Sequence, residues 1–168
     1  MASNDPRASC NDESHPQGRV LLVDDEPELR RVLRRSLVRA GFEVVEAGHG
    51  RAALELARQS SFDVVISDVR MPCMGGMELL ERLMLEEPGL PVVLMSGSDE
   101  LGSRQNAFDV GAFDYLAKPI GLMDMQMVAL EAVTLHRERG VTQRAGALRE
   151  SHDRLRAAAP VAVSSGWK

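Results

Sequence analysis

Cysteine and lysine are scarce in this chain, and each shortage narrows what it can be. The two cysteines, Cys10 and Cys73, lie at a spacing that matches neither a zinc site nor a disulfide framework, so both are expected to be free thiols. No apolar run exceeds five residues, and the first 18 residues are polar, without the hydrophobic stretch of an export signal. Neither a membrane span nor secretion is expected, and the expected address is the cytoplasm. A net charge of −5 argues against a general nucleic-acid binder, which would need to neutralise phosphates, and leaves room only for a local basic patch. The sharpest shortage is lysine: of 20 Lys and Arg only Lys118 and the terminal Lys168 are lysine. In a chain that writes its other positive charges as Arg, Lys118 suggests a compact point charge where a planar guanidinium would not fit.

What is present is the material for one core, with 44% hydrophobic residues in 168. Residues 1–18 mix Asn, Asp, Ser, Pro and Gly without periodicity and read as a disordered leader. From Val20 onward, short apolar runs alternate with amphipathic stretches, the pattern of an α/β fold whose parallel sheet is covered on both faces. The expected strands are Val20–Val23, Phe42–Ala47, Val64–Ser67, Val92–Ser96 and Ala112–Ala117. The first expected helix carries Leu29, Val32, Leu33 and Leu37 between Pro27 and Gly41. Further helices are expected over about His49–Gln59, Gly76–Glu86, Glu100–Asp109 and Leu122–Arg137, the fourth poor in apolar residues and the fifth packing through Met123, Met127, Leu130 and Val133.

Every strand of such a sheet delivers its next residue to the same carboxyl edge, where open α/β sheets bind ligands. Asp24 and Asp25 follow the first run, Asp68 the third, Ser96 ends the fourth, and Lys118 follows the fifth. Taken singly these are ordinary helix caps and turns. Independent caps, however, need not fall on one edge. Three carboxylates carry −3; a divalent cation and the Lys118 ammonium supply +3, and hard oxygen ligands suit Mg²⁺. A carboxylate that accepts a phosphoryl group gains charge, which the metal, Lys118 and Ser96 could hold.

The segments VLLVDDEPELR, FDVVISDVRMPCMGGMELL, VVLMSG and GAFDYLAKPI resemble the receiver domain of two-component response regulators, over about residues 19–138. The resemblance implies a flavodoxin-like (CheY-like) doubly wound sheet of five parallel strands with five helices, and a cytoplasmic bacterial phosphorelay in which Asp68 becomes a 4-aspartylphosphate. It implies that Asp25, Asp68 and the backbone carbonyl of Arg70 ligate Mg²⁺, with Asp24 acting through water. Lys118 would pair with the acids and the phosphoryl oxygens, Ser96 would supply a hydroxyl that follows the phosphoryl group, and Tyr115 would be an aromatic switch residue. Arg70 and Ser98 would flank the path of attacking water and tune the lifetime of the phosphorylated state. Such a module is no enzyme in the ordinary sense, but it supports its own phosphotransfer and a slow autodephosphorylation. Gly75 and Gly97 depart from the family pattern, toward less local rigidity.

An Asp-nucleophile hydrolase would place a second Asp two residues after Asp68, where Arg70 stands; a nucleotide carrier would need a Gly-rich loop after Val20–Val23. The expected phosphodonor is a histidine kinase or phosphotransfer protein, and the expected output is a conformational change read by an unknown partner protein, without direct nucleic-acid or membrane contact. Arg30, Arg31, Arg34, Arg35 and Arg39 read as a solvated face, with steering of an acidic kinase surface as the alternative. The four histidines read as surface residues. Residues 139–168 read as a helical or disordered connector without an output domain; Val141, Ala145, Leu148, His152 and Leu155 repeat at 4-3-4-3 spacing, interrupted by Gly140 and Gly146. A frayed helical extension is the expectation there. The alternative is a module used mainly for protein interaction, pairing into a homodimer through this tail.

Overall fold

The computed structural model describes residues 16–97 and 101–157, with 101–103 and 143–157 described as backbone alone. In chain order the elements are β1 (Arg19–Val23), α1 (Pro27–Arg39), β2 (Glu43–Ala47), α2 (Gly50–Gln59), β3 (Val64–Asp68), α3 (Gly76–Glu86), β4 (Val92–Ser96), α4 (Leu101–Val110), β5 (Asp114–Ala117) and α5 (Leu122–Ala157). All strand pairs are parallel and the sheet order is β2-β1-β3-β4-β5, so the expected doubly wound α/β fold is the one observed. The chain starts in the middle of the sheet, goes to one edge, and returns past β1 to build β3, β4 and β5. That reversal places the carboxyl ends of β1 and β3 side by side, which is where such sheets open a crevice.

Alternation along the strands divides the core into two layers. Val20 and Leu22 of β1, Val64 and Ile66 of β3, and Val93 and Met95 of β4 face α1 and α5. Leu21 and Val23, Val65, and Val92 and Leu94 face α2, α3 and α4. These residues of the three central strands are fully buried, which explains why those runs are apolar throughout instead of alternating with polar residues.

Local chemistry sets the helix ends. Pro27 opens α1, and Gly41, at φ +91°, takes the left-handed conformation that lets the chain turn back into β2. The His49 ring caps α2 by accepting the Ala52 N–H at 3.1 Å. A Cβ on Gly76 would stand 2.3 Å from the Asp68 carbonyl oxygen and one on Gly75 would stand 2.7 Å from that of Val69, so both glycines are needed for the close approach of α3 to the end of β3. Gly75 therefore tightens this junction, where the sequence suggested loosening.

Two further expectations change. Gln17 and Gly18, placed in the leader by sequence, are held against the domain: the Gln17 N–H donates to the Gly41 carbonyl at 2.9 Å, and Gly18 is buried against Val133. Residues 1–15 of the leader lie outside the described residues. In α5 the buried face is Met125, Ala129, Ala132 and Val133, while Met123, Met127 and Leu130 are 70%, 64% and 42% exposed. Val133 packs inward as expected; Met123, Met127 and Leu130 share the helical spacing but lie on the side of the helix away from Met125, Ala129 and Ala132. Past Arg137 the helix runs on through Gly140 and Gly146 to Ala157, so the expected helical extension is present in the backbone as a continuation of α5. Its exit from the domain is fastened by Arg137 on Asp63, at 3.1 Å from both carboxylate oxygens, and by the His136 ring 2.8 Å from the Gly89 carbonyl.

Candidate functional site

Three of the side chains expected at the carboxyl edge meet there. Lys118 Nζ donates to Asp24 Oδ2 at 3.2 Å and lies 2.8 Å from Asp68 Oδ1. The other oxygen of each carboxylate is held by the backbone two residues onward: Asp24 Oδ1 accepts the Glu26 N–H at 2.8 Å, and Asp68 Oδ2 accepts the Arg70 N–H at 3.1 Å. The two acids are thus fixed in the same way, one oxygen on the chain and one on the ammonium. Asp24 is fully buried and Asp68 is 6% exposed, so two carboxylates share one cation in a poorly solvated place.

The electrostatics follow from that placement. Burial raises the pKa of Asp68, and the charge of Asp24 adds to the rise, while the hydrogen bond and charge of Lys118 and the Arg70 N–H pull the other way without cancelling it. Burial alone would lower the pKa of Lys118, but the hydrogen bond to Asp68 and the charges of Asp24 and Asp68 outweigh it and the net shift is upward. Lys118 is therefore an ammonium at neutral pH, and Asp68 is more easily neutralised than an ordinary aspartate.

Ser96 is buried at the end of β4, and its carbonyl accepts the Lys118 N–H at 2.6 Å, tying β4 to the residue that carries the ammonium. A cis peptide joins Lys118 to Pro119. Tyr115 lies inside the layer formed with α2, α3 and α4, 7% exposed, and its hydroxyl has no hydrogen-bond partner among the described residues. Arg70 is exposed. Ser98 lies outside the described residues.

Asp25 follows Asp24 in the turn between β1 and α1. It is exposed and lines a cavity of about 340 Å³ with Gly48, His49, Arg51, Pro72 and Cys73. Among the described residues no three His, Cys, Asp or Glu side chains stand together as a preformed metal cage. The donor chemistry nevertheless fits a hard divalent cation: Asp24 and Asp68 carry −2 against the +1 of Lys118, and Asp25, next in the chain, would add a third carboxylate to a site already short of positive charge.

One participant escaped the sequence reading. Arg30, counted there among surface arginines, has a largely buried side chain; its Nη1 donates to the Asp24 carbonyl at 2.5 Å, and its Nε lies 3.3 Å from Glu46 Oε1. It braces the β1–α1 turn from beneath. Helical periodicity assigns Arg30 a face but cannot show that this face meets the turn six residues earlier. The remaining arginines are divided too: Arg34 pairs with Glu46 and Arg31 with Glu28, while Arg35 and Arg39 line a groove with Val32, Leu122 and Met123.

The family model for the response regulator receiver domain matches residues 20–129. The chain belongs to that family. Among curated proteins, it is 36% identical over 156 residues to "Probable transcriptional regulatory protein TcrX" of Mycobacterium tuberculosis, an alignment covering 87% of this chain and 65% of that one. It is 38% identical over 117 residues to "Regulatory protein AtoC" of Escherichia coli, covering 70% of this chain and 25% of the relative. The chain therefore spans less than two thirds of either relative. Among solved structures, a response regulator receiver domain protein from Clostridium thermocellum superimposes with a TM-score of 0.68 at 29% identity, over 73% of this chain and 98% of that one. An adenylate cyclase structure from Rhodopirellula baltica gives 0.70 at 30% identity, over 78% and 96%. The receiver match includes β1 to β5 and the start of α5, so Asp24, Asp68, Ser96 and Lys118 all fall within it.

Proposed function

We propose that this receiver accepts a phosphoryl group on Asp68 from a phosphohistidine of a histidine kinase or phosphotransfer protein, and signals to a partner protein by a change of conformation. The observation that carries this reading is Lys118 held between the buried carboxylates of Asp24 and Asp68. In the transfer, an Asp68 carboxylate oxygen forms a bond to phosphorus, the phosphorus–nitrogen bond breaks, and the imidazole leaves with the electron pair and takes up a proton. Dephosphorylation is attack of water on phosphorus, returning the carboxylate and inorganic phosphate.

The residues divide that work by position. Asp68 Oδ1, now on Lys118, is the oxygen already aimed into the cluster, whereas Oδ2 is occupied by the Arg70 N–H. Lys118 neutralises oxygens that gain charge in the transition state, a task it can perform because Asp24 and Asp68 keep it protonated. The buried Ser96 hydroxyl stands at the end of β4 to follow the transferred group, and the inward Tyr115 ring fills the space on the α4 side. Asp24, Asp25, Asp68 and the Arg70 carbonyl would hold Mg²⁺, which when bound supplies the charge neutralisation that phosphoryl transfer demands. Asp25, the exposed neighbour of the buried Asp24, would add the third carboxylate on this reading. Arg70, exposed beside Asp68, and Ser98 would set how long the phosphoryl group lasts.

Among the described residues no helix is long and apolar enough to cross a membrane. We place the protein in the cytoplasm, where a phosphohistidine donor would meet it. Output through a protein surface is our reading of these residues; "DNA-binding transcriptional regulator NtrC" of Escherichia coli, 35% identical, is matched over only 26% of its length. Nucleic-acid contact by a longer form of this chain would belong to parts outside the receiver.

The test pairs two substrates. With a small acyl phosphate and Mg²⁺ the protein should take up one phosphoryl group per chain, and a chelator should stop it. With a generic phosphate ester it should show no turnover; catalytic release of phosphate from the ester would support a hydrolase and overturn the reading.

A further inference from the structure

We propose that Glu46, on the edge strand β2, is a positioning residue for the acidic turn between β1 and α1, acting through Arg30, so that the pair governs how tightly the turn takes up a divalent cation. The inference rests on the reading of Asp24 and Asp25 as residues of a metal site. Asp24 is fully buried, and its polar groups are held by different parts of the fold. Its N–H donates to the Ala47 carbonyl at 3.2 Å, its Oδ1 accepts the Glu26 N–H, its Oδ2 accepts from Lys118, and its carbonyl accepts from Arg30 Nη1 at 2.5 Å. The last of these contacts decides where Asp25 begins. The Asp24 carbonyl and the Asp25 N–H belong to one planar peptide unit, so holding the oxygen fixes the plane from which Asp25 leaves.

A long arginine side chain is costly to immobilise, and one contact at its tip does not hold it. Glu46 supplies the second contact. Its Oε1 lies 3.3 Å from Arg30 Nε, and its Oε2 lies 3.2 Å from Arg34 Nε. The Arg30 Nε is buried and has no aligned hydrogen-bond partner among the described residues, so Glu46 holds it through charge. Glu46 stands opposite Leu22 in the sheet, and the next residue, Ala47, receives the Asp24 N–H. Strand β2 therefore grips the turn twice, once by its backbone and once through Arg30. Glu46 itself lies in none of the four segments that carry the family resemblance.

Charge alone gives Arg30 no reason to be there. Arg30 and Arg34 carry +2 against the −1 of Glu46, so the group is a net cation beside carboxylates that must attract Mg²⁺. A like charge nearby weakens the binding of a cation. Geometry and charge thus predict opposite signs for the same substitution.

The test is calorimetric titration of the full chain with Mg²⁺, alongside amide hydrogen exchange of the metal-free protein. Arg30→Met should weaken Mg²⁺ binding about tenfold, as loss of a group that orients a ligand does, although it removes a cation. Glu46→Gln should act in the same direction, and the double variant should bind no worse than Arg30→Met, because Glu46 acts through Arg30. Charge acting alone would instead tighten binding in Arg30→Met, weaken it in Glu46→Gln and return the double variant to the parent value; that pattern overturns the proposal. Arg31→Ala, whose parent side chain pairs with Glu28, removes the same charge from the same helix and should bind Mg²⁺ at least as tightly as the parent. Without metal, the Glu26 N–H should exchange faster in both Arg30→Met and Glu46→Gln, while strand amides such as that of Leu22 keep their parent rates. Unchanged Glu26 exchange overturns the proposal whatever the metal result. Faster exchange with no Mg²⁺ binding even by the parent would leave the Glu46–Arg30 brace standing and overturn the metal-site reading of Asp24 and Asp25.

Discussion

Single residues at the carboxyl edge carry the proposed chemistry, and the three that meet there were legible as residues that follow apolar runs. Asp24, Asp68 and Lys118 meet because three parallel strands end on one edge, a consequence of topology that sequence order alone carries. That Asp24 is fully buried while Asp25 is exposed was not legible, because adjacent residues on a turn diverge according to backbone angles that no spacing reveals. Arg30 was missed for a similar reason. Arg30→Ala should remove the brace under the β1–α1 turn, costing about 1.5–3 kcal/mol for a hydrogen bond to a charged group, and weaken Mg²⁺ affinity, read by urea unfolding and metal titration. Arg35→Ala, at an exposed position on the same helix, should stay within about 0.5 kcal/mol of the parent. The raised pKa of Asp68 gives a pH prediction. Its contribution to stability is fully present below the ordinary carboxylate value and is lost as pH rises through the raised folded value. Without metal, the unfolding free energy of the parent minus that of Asp68→Asn should therefore fall as pH rises across that window; a difference that climbs would contradict the assigned direction.

Elements were legible where the apolar pattern had one interpretation. The runs Val64–Ser67 and Val92–Ser96 became β3 and β4 because fully buried parallel strands must be continuously apolar, and Gly76–Glu86 became α3 because glycine is required where it passes the Asp68 carbonyl. Helix α5 was legible as a helix, and Val133 as part of its core, but Met123, Met127 and Leu130 were placed on the wrong face because two faces are apolar. That difference is testable within one helix. Ala129→Leu, at a fully buried contact, should destabilise the fold by about 1–3 kcal/mol through overpacking. Met127→Ser should leave unfolding within about 0.5 kcal/mol of the parent. Equal effects in thermal or urea unfolding would show that the core face had been misassigned.

At the scale of the whole molecule, sheet order and acid cluster coincide: Asp24 and Asp68 share Lys118 at the switch point between β1 and β3, where on the proposed reading a divalent cation would bind. Mg²⁺ that binds only the folded state adds stability as RT ln(1+[L]/Kd), about 2.7 kcal/mol at a hundredfold excess over Kd. The melting temperature should rise with Mg²⁺, and Asp25→Ala should lose most of the rise; a parent indifferent to Mg²⁺ would count against the metal site. The fastening of α5 by His136 and Arg137 implies that a chain ending at Arg139 still folds and accepts phosphate. The most direct measurement for the central claim is intact-mass and peptide-level mass spectrometry after exposure to a small acyl phosphate with Mg²⁺. The account predicts one added phosphoryl group, located on Asp68 and absent from Asp68→Asn; an unmodified parent, or a variant that still gains the group at an unchanged rate, would contradict it.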